Sequence, residues 1–218
     1  MARNKVKISK GIKEDGIVVG NNYDKYNSKN IIAKKLMSGF DSSLSALVRK
    51  ANTRTIHEVG CGEGVWVIKW NLKGIVARGS DFSEQVINLA KDNAKSNGLT
   101  EGLFERKSIY EVNKEQDSAE LVVCCEVLEH LEEPQLALDT LKALDSKYYI
   151  FSVPREPIWC ALNLARGKYI FQLGNTPGHI QHWSKSKFIQ FIAKDFKILE
   201  IKTPLPWVMV LCEKYTTL

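Results

Sequence analysis

With 218 residues, 44% hydrophobic and 26% charged, the chain has the make-up of one folded domain with a sizeable core. No apolar run approaches the roughly 20 residues needed to cross a bilayer. The start, Met1-Ala2-Arg3-Asn4-Lys5, lacks the apolar core of a secretion signal, so a cytoplasmic location is expected. A formal net charge of +6 admits a nucleic-acid partner. Its excess in the first 50 residues is scattered, however, and reads as a solvated face, with a secondary attraction for an anionic substrate or for peripheral contact with a membrane surface. Five cysteines without CxxC spacing read as reduced, buried small hydrophobes.

Residues 1–20 are polar, lysine-rich and glycine-punctuated, and are expected to form a loose basic arm; residues 21–218 are expected to form a single domain. Ser28 could cap a helix carrying Ile31, Ile32 and Leu36, and Asp41 a second with Leu44, Leu47 and Val48 on one face, so that 21–50 make a helical cap. A short β-biased run from Thr53 to Val59 leads into His57-Glu58-Val59-Gly60-Cys61-Gly62-Glu63-Gly64. The apolar spacing Val65, Ile68 and Leu72 then predicts a helix. Such a strand, glycine loop and helix let a backbone pass close to a ligand.

Charge selects the ligand. The spacing is G-x-G-x-G, with Val65 where the dinucleotide fingerprint needs its third glycine, and Glu58 and Glu63 flank the loop. Two carboxylates would repel a pyrophosphate by roughly 1–4 kcal/mol per close pair and attract a ligand carrying ammonium and sulfonium groups. At Glu58 to Gly64 the chain resembles the class I, Rossmann-like S-adenosylmethionine-dependent methyltransferases. The resemblance implies that Glu58, Gly60, Cys61, Gly62 and Gly64 hold the methionine end of S-adenosylmethionine, with S-adenosylhomocysteine as product. It also implies that helices ahead of the first strand close over the cofactor, which makes Tyr23 and Tyr26 candidates for the substrate pocket; packing between those helices is the alternative.

A second strand over 74–80 ends at Asp81-Phe82-Ser83. A carboxylate about 20 residues past the glycine loop can accept both ribose hydroxyls. Asp81 could instead cap the helix over 84–97, but Ser83 fills that role as well. Phe82 lies beside the same cofactor position. A third strand over 103–107 precedes Ser108 and Ile109; the family often has an aspartate at Ser108, so here Ser108 would bond the adenine and Ile109 cover it. The apolar run Ala119 to Cys125 is a buried parallel strand, and the main chain at Cys125 would border the cofactor.

Glu126-Val127-Leu128-Glu129-His130-Leu131 follows. It lacks the Pro-Pro-aromatic motif of nucleic-acid amino-methyltransferases, which makes a nucleic-acid substrate unlikely, and is similar to the motif of small-molecule O-methyltransferases, including those of ubiquinone biosynthesis. That resemblance implies a divalent cation at Glu126, Glu129 and His130, which spacing i, i+3 and i+4 would place on one helical face, and oxygen-rich ligation would suit Mg²⁺. Solvated glutamates and a backbone-bonded His130 are the alternative. A helix over 134–144 and a strand over 148–153 complete an alternation that argues for a parallel α/β sheet.

Residues 155–183 are too long for a plain connection and read as a substrate-facing insertion, with Trp159 as a substrate contact and His179 and His182, beside His130, as base candidates. A helix capped by Ser184 and strands over 196–202 and 207–213 end the chain. The expectation is a doubly wound, seven-stranded, mostly parallel sheet with a C-terminal antiparallel hairpin and helices on both faces. The reaction expected is methyl transfer to a small-molecule acceptor, an aromatic, glycosyl or lipid-linked oxygen being favoured; an RNA or protein methyltransferase and a non-catalytic cofactor-binding protein are the rivals. The acceptor's identity and the oligomeric state are not legible.

Overall fold

The computed structural model describes residues 6–14, 17–21 and 30–215. The buried apolar runs pair into one sheet. Its strands are β3 (Thr55–Val59), β4 (Val76–Asp81), β5 (Phe104–Arg106), β6 (Leu121–Cys125), β7 (Tyr148–Pro154), β8 (Phe196–Lys202) and β9 (Trp207–Lys214), after a two-residue hairpin of β1 (Lys13–Glu14) and β2 (Ile17–Val18). Helices α1 (Ile31–Ala51), α2 (Val65–Asn71), α3 (Glu84–Ser96), α4 (Lys114–Asp117), α5 (Pro134–Ala143), α6 (Ile158–Ala165) and α7 (Lys185–Ala193) alternate with them.

The order across the sheet is β5-β4-β3-β6-β7-β9-β8, with β3 to β7 parallel and β9 antiparallel to both β7 and β8. The chain therefore runs outward from β3 through β4 to β5, then returns to the other side of β3 as β6. That reversal opens a crevice at the carboxyl ends of β3 and β6, the usual ligand position in such sheets. One core lies under α1, α2 and α3, with Leu47, Val67 and Ile87, and the other under α5 and α7, with Leu138, Phe188 and the cluster of Tyr149, Phe151 and Phe196. The doubly wound sheet with its antiparallel hairpin is thus the architecture the alternation of runs predicts.

Two expectations change. The two helices expected ahead of the first strand are one, because neither Gly39 nor Asp41 stops it: a mid-helix glycine costs only about 1 kcal/mol. Its cap is Asn30, whose side chain accepts from the N–H groups of Ile32 and Ala33, and Asp41 reaches sideways to Lys69 of α2 and to Ser45 Oγ, 3.3 Å away. Ser28 lies outside the described residues. The arm expected to be loose is docked in its described part, with Ile8 and Val19 buried and Asn93 of α3 exchanging hydrogen bonds of 2.8 and 2.9 Å with the backbone of Lys7. The insertion at 155–183 holds α6 and a single 3₁₀ turn at Ile170–Gln172.

Beneath the crevice, His57 ties three elements together. Its Nδ1 lies 2.8 Å from the carbonyl of Asp117, which can only accept, so Nδ1 carries the hydrogen and Nε2 accepts from Ser80 Oγ at 2.9 Å. Burial pushes its pKa down to about 4.

Candidate active site

The glycine loop is built by packing as much as by dihedral freedom. Gly60, Gly62 and Gly64 have φ of +78°, +53° and +78°, a region that favours glycine. A Cβ at Gly60 would meet Val127 Cγ2 at 2.2 Å and one at Gly64 would meet Phe104 Cζ at 2.4 Å, whereas one at Gly62 would meet no described atom within 4 Å. Gly60 and Gly64 therefore wedge the loop against β5 and the turn after β6, while Gly62 is the open position. In β4, Gly79 admits the buried Cys61, whose Cβ would sit 2.6 Å from an added methyl. The N–H groups of Gly60 and Cys61 both donate to the carbonyl of Ser80, at 2.8 and 2.9 Å.

Glu58 is buried near the end of β3. Asp81 ends β4 against the loop: its Oδ2 accepts from Gly62 N at 3.0 Å and its Oδ1 from Ser83 N at 3.1 Å. Burial raises its carboxyl above the ordinary range, against the pull of those two bonds. The helix-capping role falls to Ser83, whose Oγ accepts from Val86 N at 3.2 Å. Phe82 is 46% exposed, Ile109 and Cys125 are buried, and Ser108 is half-buried with its N–H donating to Glu111 Oε2 at 2.9 Å. These residues meet at the carboxyl ends of β3 to β6. Glu63 does not join them. Its carboxylate accepts from Ser9 N at 3.1 Å, Ser9 Oγ at 2.9 Å and Asn21 N at 2.7 Å, and also from Asn21 Nδ2, so its charge anchors the N-terminal segment.

Beyond β6 the chain makes a 3₁₀ turn at Leu128–His130, so Glu126, Glu129 and His130 do not share an α-helical face. Glu126, at φ +59°, accepts from Ser152 Oγ at 3.0 Å and from Trp207 Nε1 at 2.6 Å. The group the structure brings together is Glu129, His130 and His179, which offer one ligand atom each, all within 4.8 Å of one another. His130 Nδ1 donates to the carbonyl of Gly178 at 2.8 Å, so its lone pair is on Nε2. His179 stands edge-on to His130 at 5.0 Å, and burial first, then the neighbouring His130 and His182, push its pKa down to about 3. His182 is set apart, with Nδ1 3.7 Å from Glu156 Oε1.

Trp159 donates from Nε1 to Thr176 Oγ1 at 2.8 Å and lies between His179, at 5.6 Å, and Trp207, at 5.9 Å. Trp207 packs edge-on to Phe40, which stacks on Trp66, so an aromatic wall runs from α1 to His130. Tyr23 and Tyr26 lie outside the described residues. Sequence reasoning missed the anchoring roles of Trp207 and Asn93. The second left a signal, an asparagine on the apolar face of α3 that is 1% exposed.

The sequence model of a methyltransferase domain matches residues 50–198. The chain is 26% identical over 119 residues to the ubiquinone biosynthesis O-methyltransferase of Coxiella burnetii, covering 53% of this chain and 50% of that protein. To the enzyme of that name from Haemophilus ducreyi it is 27% identical over 95 residues, covering 42% and 40%. The chain thus spans about half the length of these relatives. Among solved structures, the magnesium protoporphyrin IX methyltransferase of Synechocystis PCC 6803 with bound SAH aligns at a TM-score of 0.63 and 21% identity, over 86% of this chain and 89% of that one. The methyltransferase domain of bacterial CtHen1-CN aligns at 0.63 and 20%, over 82% and 99%. At these identities the structures speak for the fold, whereas the family match takes in the glycine loop, Asp81 and the turn at His130, and by that match the chain belongs to the methyltransferase domain family.

Proposed function

We propose that the chain transfers the methyl group of S-adenosylmethionine to an oxygen of a small-molecule acceptor, aromatic, glycosyl or lipid-linked. The observation that carries this reading is the crevice: Gly62 is the one loop glycine with open space at its missing side chain, and it is hydrogen-bonded to a half-buried carboxylate at the end of the next strand. The residues fit an adenosine-bearing cofactor without phosphates, because Glu58 and Asp81 disfavour added negative charge and Asp81 suits a ribose diol. When bound, S-adenosylmethionine supplies a methyl group already activated by sulfonium. The protein's part is alignment and exclusion of water. Asp81 holds the ribose, the loop backbone and Glu58 the amino-acid end, Phe82, Ser108 and Ile109 the base, and Cys125 borders the sulfur side. Trp159 supplies an aromatic surface for the acceptor.

The donors of Glu129, His130 and His179 fit a divalent cation. One carboxylate and two imidazoles form a softer set than Mg²⁺ prefers, and suit Mn²⁺ or Zn²⁺ better. Such an ion would polarise an acceptor oxygen. A histidine with pKa about 3 is neutral at pH 7, as a metal ligand must be, and too weak a base to be matched to a hydroxyl proton. Where no ion occupies its Nε2, the base role falls to His130, with His182 too far removed toward Glu156.

Incubation with methyl-labelled cofactor and fractionated cell extract tests the reading. Label is expected in small or lipid-extractable molecules. Label in RNA or protein would overturn the acceptor class, and absence of cofactor binding by calorimetry would overturn the whole assignment.

A further inference from the structure

Between Glu156 and Asp195 the chain runs 38 residues without a carboxylate, yet carries Arg166, Lys168, Lys185, Lys187 and Lys194. The charge of this segment is thus of a single sign, and the same segment supplies Trp159 and His179 to the site. At its tip, Phe171 is 99% exposed, Leu173 79%, Ile170 58% and Leu164 42%. Single exposed apolar residues are ordinary, but four within ten positions on one projection are a patch.

The projection is built, not slack. Its base is held by Asn163, 1% exposed, whose Nδ2 donates to Gly174 O at 2.8 Å and to Thr176 Oγ1 at 3.1 Å. Lys168 N donates to Asn163 O at 2.9 Å and Gly174 N to Tyr169 O at 2.8 Å, closing the loop on itself. Gly174 passes so near α6 that a Cβ there would lie 2.3 Å from the carbonyl of Cys160. Tyr169 and Leu173 flank the 3₁₀ turn with φ of +53° and +50°, left-handed conformations that non-glycine residues hold only where surrounding contacts impose them. A buried polar anchor and two strained residues thus hold three large apolar side chains outward, toward solvent.

We infer that residues 164–173 form a docking tip for an anionic lipid surface, Ile170, Phe171 and Leu173 entering the headgroup boundary while Arg166 and Lys168 meet lipid phosphates. Apolar residues at a tip whose flanking chain carries cations and no carboxylate match the interfacial pattern, in which insertion supplies one part of the affinity and each basic side chain near the surface roughly a further fivefold. An acidic protein partner would share the charge but would need a face of about 800 Å², larger than one turn presents. The inference goes beyond methyl transfer and does not rest on it.

The test is co-sedimentation of the whole protein with vesicles of phosphatidylcholine alone or with about one third phosphatidylglycerol, at low and high salt. Binding is expected to the anionic vesicles, to fall with salt, and to drop at least tenfold in the double variant Phe171→Ser, Leu173→Ser. Because Phe171 and Leu173 touch solvent, circular dichroism and melting of that variant should match the parent. Lack of binding to anionic vesicles, binding untouched by the double variant, or tip-dependent self-association in place of vesicle binding would each overturn the inference.

Discussion

At the scale of single residues, Asp81 and His57 make opposite uses of burial. Asp81 is kept beside the glycine loop by two backbone donors, and removing its carboxylate takes away a charged acceptor worth about 1.5–3 kcal/mol to a bound hydroxyl. Asp81→Ala should therefore weaken S-adenosylmethionine binding by about 10- to 150-fold in calorimetry, and an unchanged affinity would remove the ribose assignment. His57 is held neutral, its pKa moved from 6.5 to about 4. The unfolded chain takes up a proton at higher pH than the fold does, so this stabilisation is complete above pH 6.5 and is lost as the pH falls toward 4. Between pH 7 and pH 5 the parent should lose about 2 kcal/mol more stability in urea than His57→Gln does. Equal losses would mean that the imidazole is protonated in the fold. The glycine loop and Asp81 were legible because three glycines and a carboxylate 21 positions past Gly60 are visible in one dimension. The grouping of His179 with His130 was not, since 49 residues separate them and the link is a backbone carbonyl, Gly178 O, that any residue could supply.

At the scale of elements, legibility followed burial on both faces. The runs at β6, β7 and β9 are continuous and apolar and so named themselves, whereas β1 and β2 have two residues each and no pattern to show. What docks the N-terminal segment lies far along the chain, at Glu63 and Asn93, and Glu63 had a competing reading as a ligand group. Glu63→Ala removes the acceptor of four hydrogen bonds. Proteolysis within residues 6–21 should then accelerate at least tenfold while the far-ultraviolet spectrum is retained. If the cleavage rate stays put, the pair of bonds from Asn93 suffices to hold the segment. Helix α1 shows the converse error, in which Asp41 resembled a cap but its carboxylate was required by Lys69 across the helix pair.

At the scale of the whole molecule, the crevice at the carboxyl ends of β3 and β6 lies on the side where α1 and the insertion meet through Phe40, Trp207 and Trp159, so a ligand there should report on global stability. Cofactor at about a hundred times its dissociation constant should add about 2.7 kcal/mol, raising the melting temperature by about 5–10 °C for a chain of this size. A melting temperature unchanged across that titration would mean that the cofactor does not bind the folded chain. Among the described residues no helix is long and apolar enough to cross a membrane.

The position of β9 carries a consequence for how the protein is assembled. Last of the described strands, it lies between β7 and β8, and among the described residues β8 has no other neighbour in the sheet. A nascent chain released only as far as Pro206 would present β7 with a bare row of amides and carbonyls and β8 with nothing to lie against. One missing strand therefore undoes two, and until residues 207–214 arrive the growing polypeptide offers its neighbours a template for adding the wrong strand.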